Sequence, residues 1–158
     1  MTGSRRNRTL RGAGAAALAL GWIAAGVVAG ADDEAPNRSV PVNVIVVHTS
    51  NEKGEIDPRA RTLDAELRKH LRYRSMRVIR EERVQLQVDK VGTIPLPDGR
   101  EVRVRPMHKS GRGVLMAVDI EGAVKLDARA RNHHRVVIGA GAYEDGNLAV
   151  SLEPDFDE

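Results

Sequence analysis

The feature that most constrains the fold is a series of short segments in which every second residue is apolar. Val84–Val88 is the clearest of them, Val102–Arg105 and Val114–Ile120 continue the pattern, and turn signals such as Pro97–Arg100 and Ser110–Gly113 separate such segments. Alternation with a period of two is typical of strands that bury one face. Short strands at a spacing of roughly ten residues indicate an antiparallel sandwich or a barrel-like sheet.

One helix is predicted after the first strand. The β-branched run Val42–Val47 is apolar at nearly every position, which is typical of a central strand. Asp57 can cap a helix start and Pro58 suits the first helical position. Apolar residues at helical spacing follow and end near Leu71–Tyr73. The predicted fold class is therefore α+β, mostly β, with one helix after the first strand.

Residues 1–31 have the layout of a secretory signal peptide. Four arginines and no acid precede an apolar stretch, Ala13–Ala29, and Ala29 and Ala31 flank Gly30 as a small-residue cleavage site. The sequence thus predicts an exported protein, periplasmic or secreted. Retention of the apolar stretch as a membrane anchor is the alternative, and only retention would place the protein on a membrane. Arg5-Arg6 also resembles a twin-arginine signal.

The charge balance argues against nucleic acid as a partner. The whole chain has a net charge of +3, but residues 1–31 contribute four of its 25 basic residues and none of its 22 acidic ones. The remainder therefore has a net charge of −1 and no global positive field. We predict four segments: a signal peptide over 1–31, a linker over 32–41, a single β-rich domain over 42–153 and an acidic tail over 154–158. The chain has no cysteine, so the domain has no disulfide.

Several short motifs lie between Val42 and Leu152. They are His48–Asn51 (HTSN), Ile56–Arg59 (IDPR), Tyr73–Ser75 (YRS), Leu96–Arg100 (LPDGR) and Ile138–Leu148 (IGAGAYEDGNL). Together they resemble a group of small exported bacterial proteins that have no assigned activity. The last motif also resembles the Gly-rich strand pair of outer-membrane secretins. The sequence contains no repeated periplasmic modules or pore domain of a secretin, so no functional residue follows from that resemblance.

His48, Ser50 and Asp57 are the residues from which nucleophilic catalysis can be imagined. The first two follow the first predicted strand, and open sheets often place ligands beyond the carboxyl ends of strands. No Gly-x-Ser-x-Gly elbow is present, and Ser50 with Asn51 also fits a simple turn. We therefore predict no catalytic residues. A small hydrolase using Ser50 with His48 or another histidine is the alternative.

Neither a metal site nor a cofactor site is predicted. His133 and His134 are adjacent, and adjacent residues in a strand point to opposite faces. A helical metal pair would need a spacing of four residues, as in His-Glu-x-x-His. The segment Gly139–Gly141 follows a strand but lacks the third glycine and the helix of a dinucleotide-binding loop, so a hairpin connection explains it better.

Arg72, Arg74, Arg77 and Arg80 belong to a locally basic run. In an exported protein such a surface can bind an anionic lipid, lipopolysaccharide or an acidic partner protein. It can equally be a solvated face balanced by nearby acids. The sequence thus favours a non-catalytic binding or accessory domain of the bacterial cell envelope. Its candidate contacts are these arginines and a sheet edge near Ile94–Leu96 that a partner strand can join, unless its prolines protect that edge.

Overall fold

The computed structural model describes residues 38–156, and these form eight strands and one short helix. The strands, in chain order, are β1 (Ser39–Ser50), β2 (Ser75–Gln87), β3 (Gly92–Pro95), β4 (Glu101–Ser110), β5 (Gly113–Ile120), β6 (Val124–Arg131), β7 (Val136–Tyr143) and β8 (Gly146–Pro154). They build two antiparallel sheets of order β2-β1-β8-β7 and β3-β4-β5-β6. Because the two sheets pack face to face, the predicted sandwich, mostly β with a helix after the first strand, is confirmed.

The main core lies between the two sheets and is aliphatic. In β5 every second residue points into it, as the period of two in the sequence predicts, and every second residue of β1 does so as far as Val46. The core residues of these two strands are Val40, Val42, Val44, Val46, Val114, Met116, Val118 and Ile120. Removing one such side chain from water contributes roughly 1.5–3 kcal/mol, so the alternating strands supply the main driving force for folding.

A smaller apolar cluster lies on the opposite face of the first sheet, under the helix. A 3-10 turn over Pro58–Ala60 leads into α1 (Arg61–Leu67). The Asp57 side chain accepts a hydrogen bond from the Arg59 backbone N–H at 3.0 Å, so Asp57 caps this start as predicted. Leu63 packs in this cluster with residues of β1, β2 and β8. Strand β1 is therefore central and buried on both faces.

Several element boundaries differ from the prediction. The helix ends at Leu67 rather than near Leu71–Tyr73. Strand β1 begins inside the predicted linker and continues through Ser50, because β2 and β8 pair with it on both sides. The chain bends directly after it at Asn51, where a turn of Ser50 with Asn51 was the alternative. Residues 139–141 lie inside β7, and the hairpin turn falls at residues 144 and 145 instead. Phe156, in the predicted tail, is buried in the main core.

The predicted signal peptide, with Ala29 and Ala31, and most of the predicted linker lie outside the described residues. His133 and His134 follow β6 in a turn rather than in a strand. Among residues 38–156, no helix has the length and apolar character needed to cross a membrane.

Candidate functional site

Four polar side chains meet at one end of the first sheet. His48 and Ser50 stand at the end of β1, and Glu144 and Asp145 form the turn between β7 and β8. The antiparallel pairing of β1 with β8 sets Ser50 opposite Gly146, which brings the turn beside the strand end. These four residues are called the polar cluster below. The two residues on β1 and the two residues in the turn are about 95 positions apart in the sequence.

His48 is the buried member of the polar cluster, with 4% of its surface exposed. Its Nε2 lies 3.2 Å from the carbonyl oxygen of Tyr143, and its ring meets the Tyr143 ring edge-on at 5.3 Å. Because a carbonyl only accepts, this bond requires the hydrogen on Nε2. In the neutral ring the lone pair is then on Nδ1, which faces Glu144 Oε2 at 3.9 Å. Asp145 Oδ1 lies 3.6 Å from Nε2.

The Ser50 hydroxyl bonds to Asp145 and not to His48. Its hydroxyl donates to Asp145 Oδ2 and accepts from the Glu52 backbone N–H at 3.0 Å. The hydrogen bond from Ser50 is the main reason why the pKa of Asp145 is below its ordinary value. No hydrogen bond joins Ser50 to His48 among the described residues. A catalytic triad requires the base between the nucleophile and the acid, and here the acid lies between them.

Asp57, the acid considered with Ser50 and His48 from the sequence, is engaged elsewhere. Its carboxylate binds the Arg59 side chain at 2.8 Å and accepts from the Val78 backbone N–H at 3.3 Å. Chiefly because Arg59 donates to it, the pKa of Asp57 falls to about 2. Asp57 is therefore a capping residue, and Asp145 is the acid near Ser50. Sequence spacing gave no signal for Asp145.

Glu144 is held at the mouth of the cluster by strand β2. Its carboxylate pairs with Arg77 Nη2 at 2.9 Å, and Arg77 lies opposite His48 in the pairing of β1 with β2. The backbone of Glu144 has φ of 50°, a left-handed conformation that is uncommon for a residue with a side chain. The polar cluster lines an open cavity of about 300 Å³. Both His48 and Ser50 line this cavity.

The four arginines predicted as an anionic-partner surface are not equivalent in the structure. Arg72 and Arg74 lie on the connection before β2, are exposed and form no ion pair within residues 38–156. Arg77 and Arg80 lie on β2 and pair with Glu144 and with Glu82, at 2.9 and 3.5 Å. Nearby acids thus balance half of the predicted positive surface.

A second basic surface, which the sequence analysis missed, lies on the outer face of the second sheet. His108, Leu115 and Arg129 form one cross-strand row over β4, β5 and β6, and Ser110, Gly113 and Arg131 form the next row. Residues in such a row share a face. With Arg112 from the adjoining turn they line a cavity of about 460 Å³, called the arginine cavity below. Among the described residues, no acidic side chain lines it.

The three arginines of this cavity, Arg112, Arg129 and Arg131, are exposed and form no ion pair within the described part of the chain. Gly113 has no side chain in the floor of the cavity, and a Cβ there would collide with the Ala130 carbonyl of β6. A signal was present in the sequence, because Arg129 and Arg131 alternate with buried Ala128 and Ala130. Only the sheet register shows that Arg112 and His108 join them.

The sheet edge near Ile94–Leu96 is confirmed as an edge, because β3 has a partner only in β4. Ile94 and Leu96 themselves are only 1% and 5% exposed, since they pack into the main core. Pro95 has no N–H to offer a partner strand. This edge is therefore poorly suited to strand addition.

Comparisons of this chain with protein-family models, with curated proteins and with solved structures gave no match. The resemblance to small exported bacterial proteins accordingly stays a prediction.

Proposed function

We propose that this protein is a non-catalytic binding domain of the bacterial cell envelope that holds phosphate-bearing lipid headgroups in the arginine cavity. The observation that carries the proposal is the set of guanidinium groups of Arg112, Arg129 and Arg131 around one concavity, none of which forms an ion pair within residues 38–156. An anionic partner was expected from the sequence at Arg72–Arg80. The proposed partner is of the same anionic class, but the surface that binds it lies on the second sheet.

The chemistry of the cavity fits a compact anion with several oxygens. Guanidinium groups form charge-assisted and often bidentate hydrogen bonds with phosphate oxygens. Three of them around a concave surface concentrate positive potential there, although the chain without residues 1–31 has a net charge of −1. His108 adds a further donor at the wall, whereas the Ser110 hydroxyl donates to the Gly113 carbonyl at 3.3 Å.

An envelope location is supported by the signal-like layout of residues 1–31. Export would bring the arginine cavity to membranes whose headgroups carry phosphate. Each arginine near an anionic lipid surface contributes about 1 kcal/mol to binding, and salt weakens this contribution.

The proposal is tested with vesicles of phosphatidylglycerol and phosphatidylcholine and with vesicles of phosphatidylcholine alone. We expect the full-length protein to co-sediment with the anionic vesicles and to dissociate as salt is raised. The double variant Arg129→Gln/Arg131→Gln is expected to bind roughly thirtyfold more weakly, from about 1 kcal/mol for each arginine. Soluble glycerol phosphate should compete with the vesicles if the cavity binds a headgroup. It should not compete if the protein is attracted only by the surface charge of the bilayer.

The double variant Arg72→Gln/Arg74→Gln is the matched control. It removes the same charge from two arginines that are also exposed and unpaired within residues 38–156. If this control lost binding while the Arg129/Arg131 variant retained it, the proposed site would be wrong. The surface predicted from the sequence would then be the binding surface. Equal binding of both vesicle types would overturn the anionic partner itself.

The alternative function is a small hydrolase that uses Ser50 and His48. Its support is that both residues line one open cavity. The Ser50 hydroxyl donates to Asp145 instead of to His48, so a proton transfer from serine to histidine would need a rearrangement. Complete loss of a measured esterase activity in Ser50→Ala, with folding intact, would favour this alternative.

A further inference from the structure

We propose that His48, Glu144 and Asp145 bind a divalent transition-metal ion, for which Zn²⁺ is the probe. One ligand atom from each residue lies within 4.8 Å of the others. In a tetrahedral zinc site with bonds of about 2.1 Å, neighbouring ligand atoms are roughly 3.4 Å apart. Side-chain rotations, including one that carries the Asp145 carboxylate from the Nε2 side of His48 toward Nδ1, would bring these three donors to an ion.

The first argument is the state of the His48 ring. Its Nε2–H is directed at the Tyr143 carbonyl at 3.2 Å, which leaves the Nδ1 lone pair without a hydrogen-bond donor among the described residues. Nδ1 instead faces a carboxylate oxygen of Glu144 at 3.9 Å. A lone pair and a carboxylate repel each other unless a proton or a cation lies between them. Histidines that bind metals are oriented in this way, with the other N–H on a carbonyl.

The second argument is that both carboxylates are already positioned by their neighbours. Ser50 donates to Asp145, and Arg77 binds Glu144 at 2.9 Å. Such partners orient ligating carboxylates. Since Arg77 competes for Glu144, we expect an affinity below that of dedicated zinc sites. Three protein ligands would leave one position facing the cavity of about 300 Å³, where water or a small anion can bind.

The donor set also selects the kind of ion. Calcium and magnesium prefer oxygen ligands alone, whereas an imidazole nitrogen with two carboxylates suits zinc and other first-row transition metals. This site is independent of the arginine cavity, because the two share no lining residue.

The experiment uses the full chain without a polyhistidine tag, stripped with a chelator and titrated with Zn²⁺ in a calorimeter. We expect one ion per chain with micromolar affinity, and no heat of binding with Mg²⁺. In a two-bond proton–nitrogen spectrum, zinc should shift the Nδ1 resonance of His48. This readout is independent of any variant. Absence of zinc binding, or a His48 resonance unmoved by bound zinc, would overturn the proposal.

Two isosteric variants test the carboxylates. Glu144→Gln and Asp145→Asn are each expected to weaken zinc binding by at least about tenfold, since outer-shell losses alone cost that much. Glu52→Gln is the matched control, because Glu52 lines the same cavity outside the ligand set. If Glu52→Gln weakened binding as much as the other two, the ion would be held by the general negative charge of the cavity and the proposed ligands would be wrong.

Discussion

The Ser50 hydroxyl donates a hydrogen bond to the Asp145 carboxylate, and this bond joins the end of β1 to the turn between β7 and β8. It lowers the pKa of Asp145 and uses the only hydrogen that the Ser50 hydroxyl can donate. A chain that used Ser50 as a nucleophile with His48 as its base would need that hydrogen directed at His48. The bond therefore favours a positioning role for Ser50.

Replacing Ser50 tests that role. We expect Ser50→Ala to lower the free energy of unfolding by about 1 kcal/mol, because a buried hydroxyl loses its hydrogen bonds. The pKa of Asp145 should rise toward its ordinary value. Urea unfolding and a carboxylate NMR titration measure the two effects. Ser110→Ala is the control, since its exposed hydroxyl bonds to Gly113 at 3.3 Å and should matter less. An unchanged pKa of Asp145 would contradict the expected role.

The acid sensitivity of the fold should depend on Asp57. Its pKa in the folded protein is about 2, below the value of about 3.9 expected in an unfolded chain. Its favourable contribution is therefore present above about pH 4 and is lost as the pH falls through about 2. We expect Asp57→Asn to be less stable than the wild type at neutral pH and equally stable below about pH 2. Urea unfolding over this range measures the difference, with the exposed Glu121→Gln as control.

The register of β1 and β8 should depend on Gly146. A Cβ there would collide with the Thr49 carbonyl of β1, a backbone atom that cannot move without loosening the pairing. We expect Gly146→Ala to cost about 3 kcal/mol and to weaken zinc binding, because the turn moves away from His48. Gly139→Ala is the matched control on β7, where the Cβ would meet no atom within 4 Å. Similar stabilities of the two variants would refute this prediction.

Glu144 should lower the stability of the fold while it supports metal binding. Its left-handed backbone, with φ of 50°, costs a residue with a side chain roughly 1–2 kcal/mol, part of which glycine regains. We expect Glu144→Gly to raise the free energy of unfolding by about 0.5–1 kcal/mol, since the exposed pair with Arg77 contributes little. The same variant should lose zinc binding. Asp89→Gly, at φ of 67°, should gain similar stability and keep zinc binding. A less stable Glu144→Gly would contradict this argument.

Local patterns predicted the class of the fold because burial of one sheet face requires an apolar residue at every second position. This pattern predicted the strands around Val84–Val88 and Val114–Ile120. Other local signals predicted the central position of β1 and the cap at Asp57. The ends of elements were less predictable. His48 and Ser50 are polar, and nothing in their own sequence extends β1 through them. They continue the strand because β2 and β8 satisfy their backbone groups on both sides.

The sequence by itself determined that the described chain is mostly antiparallel β with a largely aliphatic core and one helix, since these features follow from residue composition and spacing. The tertiary structure decided for a sandwich over a barrel-like sheet. It also decided which charges meet. It paired Arg77 with Glu144, left Arg112, Arg129 and Arg131 without an ion pair among the described residues, and brought Asp145 to Ser50 and His48 from about 95 residues away. Ion pairs and ligand sets depend on distances in space, and strand register sets those distances between residues that no local pattern connects.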